Sequence, residues 1–316
     1  MQIKKPIFWD LEKPNFFSIL LLPFTIILLL NNFLLNNKTH KKNKKIKTIC
    51  IGNIYVGGTG KTPTTIKIYQ LLKKLDLNVC TAKKLYLSQI DENKILEKKT
   101  SFFTGKNRKQ IIDKAIEENY DYLIFDDGLQ DKKVSYNLQF VCFNTNNWIG
   151  NNQLIPAGPL REKLSSLRKY DAVFLKTNDK TQDDIKHKIK SYNPKIEIFN
   201  TCYEIKNLDK FDLSKKYLFF CGLGNPNNFK NTLLKYKFKI IDEIIFPDHF
   251  NYKKKDIENI KDRAEKNKAC IVTTEKDYVK ISQFDNSNID FLDIDLKIEN
   301  EDKLVKFINS KLNEEY

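Results

Sequence analysis

The chain has 316 residues, 41% of them hydrophobic and 30% charged, with ten Gly and nine Pro. That length suits one large domain or two medium ones. The composition excludes a mainly disordered or collagen-like chain, and no repeat of about 20–50 residues points to a solenoid. The net charge of +15 comes from 51 Lys and only 4 Arg against 40 acidic residues, a bias that A/T-rich codon drift produces as readily as an anionic partner does, so charge alone names no ligand.

Phe16 to Leu35 reads FFSILLLPFTIILLLNNFLL, a run of 20 residues without a charge. That is close to the ~20 needed to cross a bilayer core. Pro23 breaks the pattern, and Asn31 and Asn32 would be costly deep in hydrocarbon. Asp10, Glu12 and Lys13 precede the run, which makes it a poor secretory signal. Six lysines follow between Lys38 and Lys47, and such a cluster stays on the cytoplasmic side and attracts anionic headgroups. A monotopic or shallowly inserted helix is expected, with a buried core helix as the soluble alternative.

Beyond the lysines, short apolar runs alternate with helical patterns. Strands are expected at 46–51, 77–82, 120–127, 139–144 and 171–177, with helices opening at TPTTIKIYQLLKKL and spanning 109–119. The nearly continuous apolar run YLIF suits a parallel strand covered on both faces. IEIFNTCYEI (196–205) reads as an extended linker. A second unit begins near 214, with KYLFFCGLGNP as strand and turn, helices at about 227–235 and 254–268, and ACIVTTEKD as another strand and turn. The fold class is therefore α/β: a P-loop kinase-type parallel-sheet domain plus a second, smaller α/β domain, behind an N-terminal membrane-associated helix. The boundaries are 1–45 for the helix and basic segment, 46–195 for the nucleotide-binding domain, 196–213 for the linker and 214–316 for the second domain. The cysteines at 50, 80, 142, 202, 221 and 270 form no CxxC pair, and they read as reduced core thiols.

Four of the ten glycines fall within GNIYVGGTGKTP, residues 52–63. A glycine-rich turn that leaves a strand and opens a helix lets backbone N–H groups wrap phosphate oxygens. Gly57, Gly58, Thr59 and Gly60 would form the wrap. Lys61 would reach the β- and γ-phosphates, and Thr62 would ligate Mg²⁺. Tyr55 stands where the strict pattern has glycine. A phosphate loop needs a carboxylate on the metal side at a neighbouring strand end, and YLIFDDG offers Asp126, with Asp127 as second ligand or orienting partner. Arginine is scarce, so Arg161 in PAGPLRE suggests a planar fork for phosphate, and Glu162 beside it a Mg²⁺ or water contact.

GNIYVGGTGKTP, DDGLQ, GNNQLIPAGPLRE, FPDHF and TTEKD, in that order, resemble the tetraacyldisaccharide 4′-kinase family, the lipid A 4′-kinases. The resemblance covers residues of about 1–282. It implies ATP and Mg²⁺ as cofactors, and an acylated disaccharide 1-phosphate lipid whose 4′-hydroxyl takes the γ-phosphate. It also implies a peripheral or monotopic position on the cytoplasmic face of the bacterial inner membrane, at an anionic surface, with no nucleic-acid partner. The acidic pair Asp91–Glu92 matches the family's GDE segment, with Ile90 in place of Gly. Through it Asp91 becomes the candidate catalytic carboxylate, and His249 the histidine that supports it. Asp248 is placed to orient that ring. KKLY (83–86) stands where the family has RGYG, a deletion follows, and Asp131 replaces the histidine of DDGxQH. TTEKD stays outside the expected chemistry. The alternatives are a membrane-associated P-loop NTPase switch and a degenerate kinase.

Overall fold

The computed structural model describes residues 6–35, 42–86, 89–177, 182–248 and 250–313. In chain order the elements are α1 (Phe16–Leu35), β1 (Lys47–Gly52), α2 (Lys61–Lys73), β2 (Val79–Lys84), α3 (Ile90–Lys99), β3 (Phe102–Gly105), α4 (Arg108–Glu117), β4 (Tyr122–Asp126), β5 (Leu138–Asn144) and β6 (Ala172–Lys176). They continue as α5 (Asp183–Tyr192), β7 (Glu197–Ile205), β8 (Lys216–Cys221), α6 (Pro226–Lys235), β9 (Lys239–Ile245), α7 (Lys254–Lys266), β10 (Cys270–Thr274), α8 (Glu275–Ile281), β11 (Ile289–Leu292), β12 (Ile294–Ile298) and α9 (Glu301–Asn313).

Contacts divide the chain into two units. The larger lies within Lys5–Leu85, Lys99–Cys202 and Leu296–Tyr316; the described part of the smaller is Tyr86–Lys98 and Tyr203–Asp295. The expected boundaries were continuous in sequence, whereas both units are discontinuous. Within the expected linker, Glu197–Ile205 forms β7, which pairs in parallel with β6 along Ala172↔Glu197 to Lys176↔Thr201. The C-terminal helix α9 returns to the larger unit because Leu304, Ile308 and Leu312 share one buried face. Its Phe307 ring lies 6.3 Å from Phe140, and Glu301 accepts an ion pair from Lys67 at 2.6 Å.

The larger unit is built on an eight-stranded sheet ordered β12-β7-β6-β5-β1-β4-β2-β3. Its central strands pair in parallel, and all five residues of β4 and of β6 are buried, as helices on both faces require. One apolar cluster, with Cys50, Phe125, Phe143 and Val173 at its centre, fills the space under α4 and the 149–170 segment. The six cysteines are free, and Cys50, Cys80, Cys142 and Cys221 are buried. Burial pushes the Cys142 thiol up to about 12, which keeps it protonated and inert. The smaller unit is a four-stranded parallel sheet, β11-β10-β8-β9. It packs Phe219, Phe229 and Leu233 on one face and Phe220, Ile257 and Ile260 on the other.

α1 belongs to the larger unit and is inverted in polarity. Ser18 and Thr25 are buried, while Phe16, Phe17, Ile19, Leu20, Phe24, Ile26, Ile27 and Leu30 are exposed. Asn151 donates to Ser18 Oγ at 2.7 Å, and Leu29 packs on the core of the unit. Among the described residues no helix is long and apolar enough to cross a membrane. Lys38 and Lys41 of the basic cluster lie outside the described residues.

Candidate active site

The loop between β1 and α2 sits where a parallel strand hands over to a helix. Gly57 and Gly60 take φ of 138° and 90°, a region that disfavours any side chain. Gly60 is the N-cap of α2 and brings no side-chain cap, so the first N–H groups of the helix are left to a ligand. Buried Asn53 braces the turn from inside, donating to Gly57 O at 3.3 Å and to Thr59 Oγ1 at 3.0 Å. A methyl at Gly58 would meet nothing within 4 Å, so that backbone is open to close approach.

The PAGPLRE segment backs this loop. Val56 N donates to Pro159 O at 2.9 Å, and Arg161 N to Ile54 O at 2.7 Å. Tyr55, the departure from the strict pattern, is buried and donates its hydroxyl to Asp10 Oδ1 at 2.6 Å. The ring therefore ties the segment before α1 to the phosphate loop. Trp9 adds a second tie by donating Nε1 to Pro156 O at 3.0 Å.

β4 lies beside β1 with Ile51 opposite Asp126, so the strand ends at the loop. Thr62 Oγ1 donates to Asp126 Oδ2 at 2.8 Å, and the Lys83 ammonium reaches the same oxygen at 2.9 Å. Asp126 is fully buried, and its Oδ1 has no hydrogen-bond partner among the described residues. A buried carboxylate oxygen left over beside a threonine hydroxyl is a hard donor set that fits Mg²⁺. Asp127 follows at φ 61°, its N–H held by Ile51 O at 2.8 Å. Lys61 lies 3.7 Å from its carboxylate and Arg161 3.2 Å. Burial alone would raise the Asp127 carboxyl, but Lys61, Arg161, Lys83 and Arg108 outweigh it and hold it below the usual carboxylate range.

Glu162 is held by three side chains. Its Oε1 accepts from Gln130 at 3.1 Å and from the Tyr170 hydroxyl at 2.9 Å, and Lys169 pairs with Oε2 at 2.6 Å. Gln130 in turn donates to Asn53 O at 2.9 Å and accepts from Arg161 at 3.2 Å. Glu162 thus steadies Gln130, and Gln130 links the phosphate loop to Arg161.

In the smaller unit Asp91 sits in the first turn of α3 and is buried. Lys276 and Lys280 face it at 3.5 and 3.2 Å, and Lys276 also lies 3.6 Å from Glu92 and 3.2 Å from Asp248. His249 lies outside the described residues. Sequence reasoning missed Arg108, which is buried and forks to the Asp127 carbonyl and the Asp131 carboxylate. Its signal was the scarcity of arginine, used only at Arg161. The two lysines near Asp91 were also missed, because a lysine in a chain with 51 of them carries no signal.

Comparison with known proteins gives one family. The profile of the Tetraacyldisaccharide-1-P 4′-kinase family matches residues 16–313. A tetraacyldisaccharide 4′-kinase of Pelagibacter ubique is 45% identical over 314 residues, 99% of each chain. One from Rickettsia typhi is 34% identical, covering 97% of this chain and 98% of its own. Among solved structures, LpxK from Aquifex aeolicus in complex with ATP aligns with a TM-score of 0.68 at 25% identity, over 93% of this chain and 99% of that one.

Proposed function

Because the chain belongs to the tetraacyldisaccharide-1-P 4′-kinase family, we propose that its phosphate loop holds ATP and that it passes the γ-phosphate to the 4′-hydroxyl of a tetraacyldisaccharide 1-phosphate. It is an ATP-dependent phosphotransferase of lipid A biosynthesis. The observation that carries the residue assignment is the Thr62–Asp126 hydrogen bond, with Asp126 Oδ1 left over at the strand end. That arrangement joins the loop, its helix and an acidic strand end into one site.

In this reading the Gly57–Gly60 backbone and the start of α2 bind the triphosphate. Lys61 exchanges its Asp127 contact for phosphate oxygen, and Arg161 grips phosphate with its fork while Asp127 and Gln130 hold it in plane. Mg²⁺, when bound, supplies charge neutralisation on the phosphates, and Thr62 and Asp126 are the residues that would hold it, with Asp127 beside them. Lys83 holds the Asp126 carboxylate in place. The hydroxyl oxygen forms a bond to phosphorus, the bond to the β-phosphate oxygen breaks, and ADP leaves. Asp91 takes the hydroxyl proton as general base, with His249 as its supporting group. Incubation with Mg²⁺ and γ-labelled ATP tests the assignment. Label should pass to an acylated disaccharide 1-phosphate, and Lys61→Ala should abolish the transfer. Equal release of free phosphate with and without the lipid would contradict it and favour an NTPase switch.

The same reading places α1 on the cytoplasmic face of the inner membrane. Its polar residues Ser18 and Thr25 face the protein and its apolar ones face outward, the reverse of a helix selected for water. Shallow insertion buries that face and leaves the acceptor's acyl chains in the bilayer, where extraction would cost about 0.8 kcal/mol per CH₂. Phe24→Asp with Ile27→Asp should reduce co-sedimentation with anionic lipid vesicles at least tenfold while leaving ATP binding intact. Unchanged co-sedimentation would refute the placement.

A further inference from the structure

We propose that Lys276 and Lys280 are positioning residues that clamp the Asp91 carboxylate, and that the TTEKD segment is built to present them. The proposal rests on the reading of Asp91 as the acceptor's base.

Lys276 and Lys280 stand four residues apart on α8, so they share a face. Both ammonium groups converge on the same oxygen, Asp91 Oδ2, at 3.5 and 3.2 Å. The side chains are only 16% and 11% exposed, and that of Asp91 is 4% exposed. Lysine side chains are seldom buried without a paired charge. Two of them turned inward onto one carboxylate oxygen need a scaffold that makes them do so.

The rest of the motif is that scaffold. α8 has only seven residues, too few to hold itself. Asp277, fully buried, spends both carboxylate oxygens on fixing it. Its Oδ2 accepts from Gly222 N at 3.0 Å and from Thr274 Oγ1 at 2.7 Å, and its Oδ1 accepts from the Tyr252 hydroxyl at 2.9 Å. Thr274 is the N-cap and accepts from Asp277 N at 3.1 Å. Thr273 donates to Phe220 O at 2.7 Å, which locks the end of β10 to β8. A methyl at Gly222 would come 3.1 Å from Asp277 Oδ1, so a side chain there would press on the aspartate. Each of Thr273, Thr274 and Asp277 fixes the start of α8, and the residues left to point outward from it include the two lysines.

The chemistry that follows is control of one carboxylate. The two cations are also shared: Lys276 pairs with Glu92 and Asp248 as well, and Lys280 with Asp277. A base works only if its oxygen is held where the hydroxyl arrives, and Oδ2 is the Asp91 oxygen that both ammonium groups approach. Two cations at ion-pair distance draw that oxygen toward α8. Burial alone would lower the Lys276 ammonium, but Glu92, Asp248 and Asp91 outweigh it and hold it above its ordinary value, so the cation persists across the working range.

The test compares Lys276→Met, Lys280→Met, Lys276→Arg and Asp91→Asn, and each methionine change on the Asp91→Asn background, in the full-length protein with ATP and acylated disaccharide 1-phosphate. Each methionine variant should lower kcat by about 10²-fold, as loss of alignment does. KM for ATP should stay within about twofold, because ATP is held by the other unit's loop. Lys276→Arg should recover most of the rate. On the Asp91→Asn background the same changes should cost less than about twofold. Wild-type kcat in both methionine variants, or an equal loss with and without Asp91, would overturn the clamp. Should Lys276→Met not fold, Lys280→Met alone gives the same reading. Full activity in Asp91→Asn would instead remove Asp91 as base, a result separable from failure of the clamp.

Discussion

Replacing Lys83 with methionine isolates the charge that holds Asp126. The pair is 2.9 Å apart with side chains 1% and 0% exposed, so removing the ammonium leaves a carboxylate deep in the sheet with the Thr62 hydroxyl as its remaining support. Breaking one side of such a pair costs about 3–5 kcal/mol, because the other charge stays buried and uncompensated. That is roughly a 10²- to 4 × 10³-fold loss in the folding equilibrium. Both tryptophans, Trp9 and Trp148, lie in the larger unit, so fluorescence during urea unfolding reads that unit. Without metal, Lys83→Met should unfold at markedly lower urea than the wild type. Saturating Mg²⁺ with ATP should restore more stability to the variant than to the wild type, since a bound cation replaces the lost one. The gain is RT ln(1 + [L]/Kd), about 2.7 kcal/mol at 100 times Kd, so at one fixed ligand concentration the protein with the lower Kd gains more. An unchanged metal-free midpoint, or an equal gain on adding Mg²⁺ and ATP, would refute the reasoning.

Gly150→Ala should loosen the N-terminal tie, because φ is +54° there and a methyl would fall 2.0 Å from Trp9 O. A loss of at least about 1–3 kcal/mol and a red shift of tryptophan emission are expected, and wild-type emission would contradict the tie. Lys176, buried at the end of β6, is lowered by burial to about 8 from its ordinary 10.5. Between those values the unfolded chain keeps a proton that the folded chain has released, so stability rises with pH across that window. At 1.36 kcal/mol per unit the rise is about 3 kcal/mol, and Lys176→Met should remove it, whereas parallel urea midpoints from pH 8 to 10 would contradict this.

The phosphate loop was legible because its chemistry is local. A strand, a glycine turn and a lysine-threonine pair are adjacent in GNIYVGGTGKT, and the apolar run YLIF ends in Asp126. The same holds for the α/β alternation through β6, where apolar runs are long and helical faces clear. β7 was read as a linker because IEIFNTCYEI mixes polar and apolar residues, as a strand near a sheet edge does; its burial pattern alternates accordingly. α9 could not be placed from sequence, since an amphipathic helix shows that it has a partner and not which sheet that is. The neighbours of Asp91 were illegible for a different reason. Lys276 is 185 positions away in the chain, and only packing reveals that it meets Asp91 at 3.5 Å. TTEKD looked idle because its threonines and aspartate act on backbone within the smaller unit. The partners of Glu162, namely Gln130, Tyr170 and Lys169, could not be foreseen from PAGPLRE, since packing and not sequence brings them together.

Titration of phosphoryl transfer with Mg²⁺ at saturating ATP and lipid, in the wild type and in Asp126→Asn, tests most directly whether loop and strand end form one metal–triphosphate site. The site predicts that Asp126→Asn lowers the maximal rate at least about 10²-fold and raises the Mg²⁺ needed to reach half of it. Superimposable Mg²⁺ curves of equal height would contradict it.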